Sequence, residues 1–372
     1  MSAQAQQNSG ELRVQLSLGG DDWERRDEYI GSVLDAKLLA GGGVVFLDGQ
    51  ALELRAFDSE GRPLYRVGRE GRGPEEWSRH LAGLVVLPGD TVVVADPGNA
   101  KLALVGPEGG LSRTYRFATP YYGRNWRLVN DTLLLYDTRT RPETLRLLRL
   151  GQADPTVLYS FPYEAAPVSR GQTPLAPLLS TEGRWTAVGG VLVTAVSTAP
   201  VLQTMSISAG HQRAGLIKLP REAGRVSASD RRRLEALWRE RLPMGRIPRS
   251  MWDQIELVYP DSLPIMGQLA AGPNETVWVQ RPAAVSEMSP SDLMGPPLGG
   301  VGSEVWDVYS LTGAYVGAVG FPARLRVLDS KGVNLLTLRR DELGREVLEV
   351  WAWSGTRQER DNGQRSVRAA AG

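Results

Sequence analysis

Residues 44–67 read VVFLDGQALELRAFDSEGRPLYRV, and residues 92–117 read VVVADPGNAKLALVGPEGGLSRTYRF. Both run an apolar strand into an aspartate, a glycine-bearing turn, an alternating strand, a second glycine turn and a third strand. Asp48 matches Asp96, Leu54 matches Leu102 and Gly61 matches Gly109. Alternation with period two places successive side chains on opposite faces of a sheet, and Asp and Gly supply the turn chemistry between strands. Residues 304–321 (EVWDVYSLTGAYVGAVGF) repeat the second half of the unit, and residues 333–354 (VNLLTLRRDELGREVLEVWAWS) repeat a strand–turn–strand pair. Repetition at this scale signals a ring or array of similar supersecondary units.

Worked outward, the chain divides into six units that begin near Ser32, Leu81, Asn125, Arg184, Ile265 and Leu325. The last unit has three strands and lacks a fourth. ELRVQLSL (Glu11–Leu18) alternates cleanly and has no hairpin partner nearby. Placing it as the outer strand of the last unit closes a ring and removes two sheet edges. The fold expected is therefore all-β, a six-bladed β-propeller spanning 11–354 and closed by the N-terminal strand. A sandwich or an open solenoid accounts less well for one Asp–Gly turn recurring at blade spacing and for ends that do not look like caps.

Two segments interrupt the pattern. SASDRRRLEALWRERL (227–242) puts Leu234, Leu237, Trp238 and Leu242 at helical spacing, with Ser227 and Asp230 as a capping box and Pro243 as a stop. It is an inserted helix between blades 4 and 5. The stretch 282–302, rich in Pro, Gly, Ser and Met, splits the hairpin of the fifth unit and reads as a mobile loop. Residues 355–372 are polar and Arg-rich and read as a disordered tail. Residues 1–10 read as a disordered N-terminus or the remnant of a signal peptide, because Ala3-Gln4-Ala5 has the small-x-small form of a cleavage site. The corresponding expectation is a periplasmic or extracellular location, with the cytoplasm as the alternative.

Composition narrows the chemistry. The 372 residues hold 43 Lys+Arg and 42 Asp+Glu, a net charge of +1, which argues against a nucleic-acid partner. Cysteine is absent and the histidines are His80 and His211, so thiolate metal sites, cysteine nucleophiles and most His-based triads fall away. No run of apolar residues is long enough for a transmembrane segment. No phosphate-binding glycine loop, nucleophile elbow or His-Glu-x-x-His motif occurs.

Val92–Gly109, through Ala95, Asp96, Asn99 and Lys101, resembles the NHL repeat. The first unit keeps Asp48 but has Ala51 where the Asn stands. Gly68-x-x-Gly71-x-Gly73-Pro74-Glu75-Glu76-Trp77 is similar to a signature of bacterial six-bladed propellers related to NHL repeats, with Glu75 in place of a third glycine. Arg340–Gly344 also looks like that group. The resemblance implies the six-bladed ring and little about activity, since most of the group is uncharacterised.

The residues left to carry function are few. Asp96 and Asn99 read as turn-ordering groups, with calcium ligation as the alternative. Glu75 and Glu76 are adjacent carboxylates in an extended loop, where Glu76 is expected to fix the loop and Trp77 to pack between blades. The inner strands offer mostly apolar groups, with Gln268 and Asn130 as oxygen donors and Arg127 as a cation. The expectation is accordingly no catalytic residue, no metal and no cofactor. The candidate binding set is Arg72, Glu76, Trp77, Tyr121, Tyr122, Arg124 and Trp126, a mix suited to stacking and cation–π contacts. The function expected is a monomeric, non-catalytic propeller binding a protein, peptide or carbohydrate on one face. The alternatives are a channel-centred divalent-metal hydrolase or lyase of the lactonase type, and an extrinsic scaffold subunit of a membrane complex.

Overall fold

The computed structural model describes residues 11–20, 30–116, 123–138, 143–162, 169–170, 173–207, 213–241, 252, 254–294 and 302–355. They form six four-stranded antiparallel sheets arranged as the blades of a propeller. Their innermost strands are Val33–Leu38, Gly83–Val86, Gly123–Asn130, Gly183–Val188, Leu269–Gly272 and Leu325–Lys331. In blades one to five the other strands follow in chain order toward the rim.

Blade six is completed from the other end of the chain. Leu12–Gly19 pairs antiparallel with Glu346–Trp353, in register from Leu12 opposite Trp353 to Gly19 opposite Val347, with one irregularity between Val14 and Leu16. Leu16 and Leu18 are buried against Leu348, Val350 and blade one. The N-terminal strand thus closes the ring, as its alternation requires.

Among the described residues, six hydrophobic clusters each lie between two successive blades. Strands wedged this way are apolar on both faces, which is why Val44–Asp48 and Val92–Asp96 are buried along their whole length. A seventh cluster lies outside the ring and joins Leu234, Leu237 and Trp238 of the helix to Ala176, Leu178, Leu179, Val285 and Met288.

Successive strands of a blade run in opposite directions, so the ring has two distinct faces. The lower face carries the first turn of each blade, where Ala40 N donates to Asp90 at 2.8 Å and Asn274 N to the Gly332 carbonyl at 2.9 Å. The upper face carries the connections between blades and the second turns. There the connection after blade three contributes Thr173–Pro177, which pairs in parallel with Glu256–Val258 from the connection after blade four. The helix Ala228–Arg241 belongs to the same long connection. Its N-terminus is closed by the expected box: Ser227 N donates to Asp230 at 2.9 Å, and Asp230 N to Ser227 Oγ at 3.1 Å. Leu242, the last residue of the expected apolar stripe, lies outside the described residues.

These pieces build a cap over one side of the ring. The described part of the insertion of blade five, residues 282–294, forms part of it. Residues 285–287 and 290–294 form short 3-10 turns. Val285 and Met288 are buried against the helix, and Arg324 pins the segment by donating to Asp292 at 2.9 Å and to the Glu287 carbonyl at 3.0 Å. Apolar residues among the Pro and Ser gave the segment something to bury. Residues 295–301 lie outside the described residues. Among the described residues no helix is long and apolar enough to cross a membrane.

Candidate functional site

The repeat motif holds down the loop between blades one and two. Asp48 sits at the end of the second strand of blade one and accepts from the backbone N–H of Gly31, Ser32, Gln50 and Ala51 at 2.9–3.3 Å. Asp96, its counterpart in blade two, accepts from Ser78 N at 3.1 Å, from the Ser78 hydroxyl, and from Asn99 N at 3.2 Å and Asn99 Nδ2 at 2.8 Å. Both turns then place the fourth residue after the aspartate in the left-handed region, Leu52 at φ 56° and Ala100 at φ 51°. In each case a carboxylate ties the strand entering the blade to its second turn.

Blade two adds a clamp that blade one lacks. Asn99 Nδ2 donates to the Gly71 carbonyl at 2.8 Å. Lys101 Nζ donates to the carbonyls of Gly73, Pro74 and Glu76 at 2.8, 3.2 and 2.6 Å, and stands 4.9 Å from the centre of the Trp77 ring. Its burial pushes the ammonium pKa below the ordinary lysine value, opposed by Asp96 and Glu76. From inside the loop, the Glu76 carboxylate accepts from Arg72 N at 3.0 Å and Gly73 N at 2.8 Å and pairs with Arg69. The Gly73 contact comes first among the causes that hold Glu76 below the usual carboxylate range.

The glycines of the signature have specific neighbours. Gly68 has φ +114°, and a Cβ there would stand 1.9 Å from Trp77 Nε1. A Cβ on Gly71 would stand 2.1 Å from a Glu76 carboxylate oxygen. The loop is a fixed structure with Trp77 wholly buried beneath it. Arg72 is exposed on its outside and makes no side-chain hydrogen bond or ion pair among the described residues.

The other half of the candidate set divides differently. Trp126 is buried between blades two and three, stacked on Tyr136 with ring centres 4.3 Å apart. Arg124 lies in the innermost strand of blade three, opposite Asp137. Tyr121 and Tyr122 lie outside the described residues. Trp77 and Trp126 are therefore interior groups that position their segments, and Arg72 is a surface group.

Besides Arg127 and Gln268, the central channel holds three charged groups that the sequence reading missed, Asp35, Lys37 and Asp329. A cavity of about 210 Å³ is lined from all six innermost strands, with Lys37, Arg127 and Asp329 among its polar groups. Lys37 is buried and donates to Asp35 and to the Ala36 carbonyl. Asp35 also accepts from Ala36 N at 2.9 Å and from Leu84 N of blade two at 3.0 Å. Asp329 of blade six accepts from Leu38 N of blade one at 3.0 Å. Gln268 joins blade five to blade six, accepting from Val327 N at 2.9 Å and donating to the Val327 carbonyl at 2.6 Å. Burial pushes the Lys37 ammonium pKa down and the Asp329 carboxyl pKa up; Asp35 opposes the first shift and Lys37 the second. Asp35 and Lys37 alternate in an otherwise apolar strand, so they share one face, and that spacing was the available signal. Asn130, expected to face inward, is exposed at the end of its strand. Among the described residues no three His, Asp or Glu side chains gather as a set that could hold a metal ion.

A scan against protein-family models finds no match, and a search of curated proteins finds none. Solved structures do resemble the chain. A member of the DUF4221 family from Bacteroides vulgatus superposes with a TM-score of 0.57 and 12% identity, over 94% of this chain and 100% of that one. A putative exported protein from Bacteroides fragilis gives a TM-score of 0.49 and 12% identity over 92% and 95% of the two chains. A gluconolactonase from Xanthomonas campestris gives 0.44 and 9% over 87% and 88%. The first of these likenesses is one of fold.

Proposed function

We propose that this chain is a non-catalytic β-propeller that binds a protein, peptide or carbohydrate partner on its upper face. The observation that carries the reading is the different use of polar groups in two places. In the channel, Asp35, Asp329 and Gln268 tie neighbouring blades together, and Lys37 spends its bonds on Asp35 and the Ala36 carbonyl of its own strand. On the upper face, the clamped loop presents Arg72 without a partner among the described residues. A rigid loop with an outward arginine suits recognition, because little conformational freedom is lost on binding.

In this reading Arg72, Tyr121, Tyr122 and Arg124 make the contact, while Glu76, Trp77 and Trp126 position them. The protein acts as a monomer in the periplasm or outside the cell. The ring spans 11–354 with insertions at 227–242 and 282–302, and the segments 1–10 and 355–372 flank it. The test is a pair of peptide and glycan arrays probed with the parent protein and with Arg72→Glu/Arg124→Glu. A signal lost in the variant, with an unchanged melting curve, supports the reading. Lactone hydrolysis that needs Ca²⁺, Mg²⁺ or Mn²⁺ and vanishes in Asp329→Asn would replace it with the channel-centred hydrolase.

A further inference from the structure

The upper face has a second depression, away from the 68–80 loop. It lies between the parallel strand pair of the cap and the second turn of blade four, with a volume of about 410 Å³. That is within the range of roughly 300–1,000 Å³ usual for small-ligand sites. Ser180, Thr181, Thr198, Ser262 and Asp261 all line it. None of their side chains makes a hydrogen bond or ion pair among the described residues. Four hydroxyl-bearing residues and one carboxylate residue therefore line one space with no side-chain bond made among the described residues.

The remaining lining sets the class of ligand. Pro177, Val258 and Pro260 give an apolar strip, and Tyr259 adds an aromatic ring over which Arg231 stands at 5.5 Å. No Lys or Arg is among the residues lining the cavity, and its one charge is the Asp261 carboxylate, so an anionic ligand gains nothing there. Strand addition by a peptide is poorly served. Leu178 N already donates to the Val258 carbonyl at 2.8 Å, and the two prolines have no N–H to offer. Hydroxyl groups that both donate and accept, beside an apolar strip and a ring, match the alternating polar edges and C–H faces of a pyranose.

We propose that this cavity binds a neutral carbohydrate. The inference rests on the reading of the upper face as the binding face and names the ligand class and place. The test is calorimetric titration with cellohexaose, xylohexaose, maltohexaose and chitohexaose, and with hexagalacturonate as the charged comparison. The expected result is saturable binding of at least one neutral oligosaccharide, weaker binding of the uronate, and a loss of about tenfold or more in Asp261→Asn and in Thr198→Trp. Asp261 is exposed and Thr198 sits on a turn, so both variants are expected to melt like the parent. If none of the neutral sugars binds, the inference is overturned. It is also overturned if one binds and neither variant weakens it. In that case a loss in Arg72→Glu would keep the upper face as the binding face and remove only the cap cavity. A peptide-array signal silenced by Thr198→Trp would overturn the carbohydrate assignment and leave the wider reading standing.

Discussion

Blades one and two fix their entering strands with a buried aspartate; blades four and five do the same job with less. Asp48 accepts four backbone N–H bonds, whereas Ser197, at the corresponding turn of blade four, accepts one, from Glu182 N at 3.1 Å. In blade five Gln280 takes the place, accepting from Gln268 N at 3.1 Å and donating to the Ser303 carbonyl at 2.8 Å. The connections differ in the same order. The one entering blade two is a short loop clamped from its root by Asp96, Asn99 and Lys101. Those entering blades four and five are long and bury their own apolar cluster in the cap. A short connection is held by polar tethers; a long one is held by a core of its own.

The harshest way to break this comparison removes what both halves share. Deleting residues 1–20 exposes the edge of blade six and empties the sites of Leu16 and Leu18, each worth about 2–5 kcal/mol. The expected outcome is loss of a cooperative melting transition, while deleting 357–372 leaves the transition in place. A melting point equally affected by both deletions would mean that strand closure is not what holds the ring.

Next comes the cap. Leu237 is fully buried there, and Leu237→Ala should cost about 2–5 kcal/mol. The loss should appear in the cap alone, as faster amide exchange in 228–241 with the exchange of blades one and two unchanged. Uniform acceleration around the ring would show that the cap has no stability of its own.

The tethers come third. Asp96→Ala leaves partly buried donors without their acceptor and should lower stability by about 2–3 kcal/mol, while Ser197→Ala should cost about 1 kcal/mol or less. Denaturant melts of the two variants make the comparison directly, and equal losses would refute it.

The smallest effect is a matter of pH. Glu76 is held below its ordinary value of 4.5 in the folded protein. It binds fewer protons folded than unfolded, so its contribution is present above 4.5 and is lost as the pH falls below it. Glu76→Gln should be less stable than the parent at neutral pH, and the two stability curves should converge on acidification. Parallel curves would mean that the carboxylate does not brace the loop.

The ring was legible because its signals are local. Apolar alternation, glycine turns and the Asp48/Asp96 match each fall within a few residues, and the unpaired strand at 11–18 had only one place left to go. The channel was not legible in the same way. Asp329 and Lys37 are brought together only when blade six meets blade one, and no local pattern announces that meeting. Trp77 and Trp126 posed a different difficulty. An aromatic beside arginines in a loop suits an anchor and a core residue equally, and the bare backbone of Gly68 decides that Trp77 goes inward. The cap cavity left no local trace, because its walls come from segments on either side of blade four that pair only in the folded chain.

The closing strand also sets an order in time. Leu12–Gly19 is made before any other strand of the ring and cannot pair until Glu346–Trp353 has followed it. Through all of synthesis it is a free strand, and once blade six forms, its rim is a free edge awaiting that strand. Two such edges in neighbouring copies are complementary, so the same contact that finishes one molecule offers a route to strand exchange between two. The strand's outward positions, Arg13, Gln15 and Ser17, are polar and exposed. They keep the waiting segment soluble while leaving Leu16 and Leu18 free to dock, so that the first strand of the ring to emerge is the last to be used.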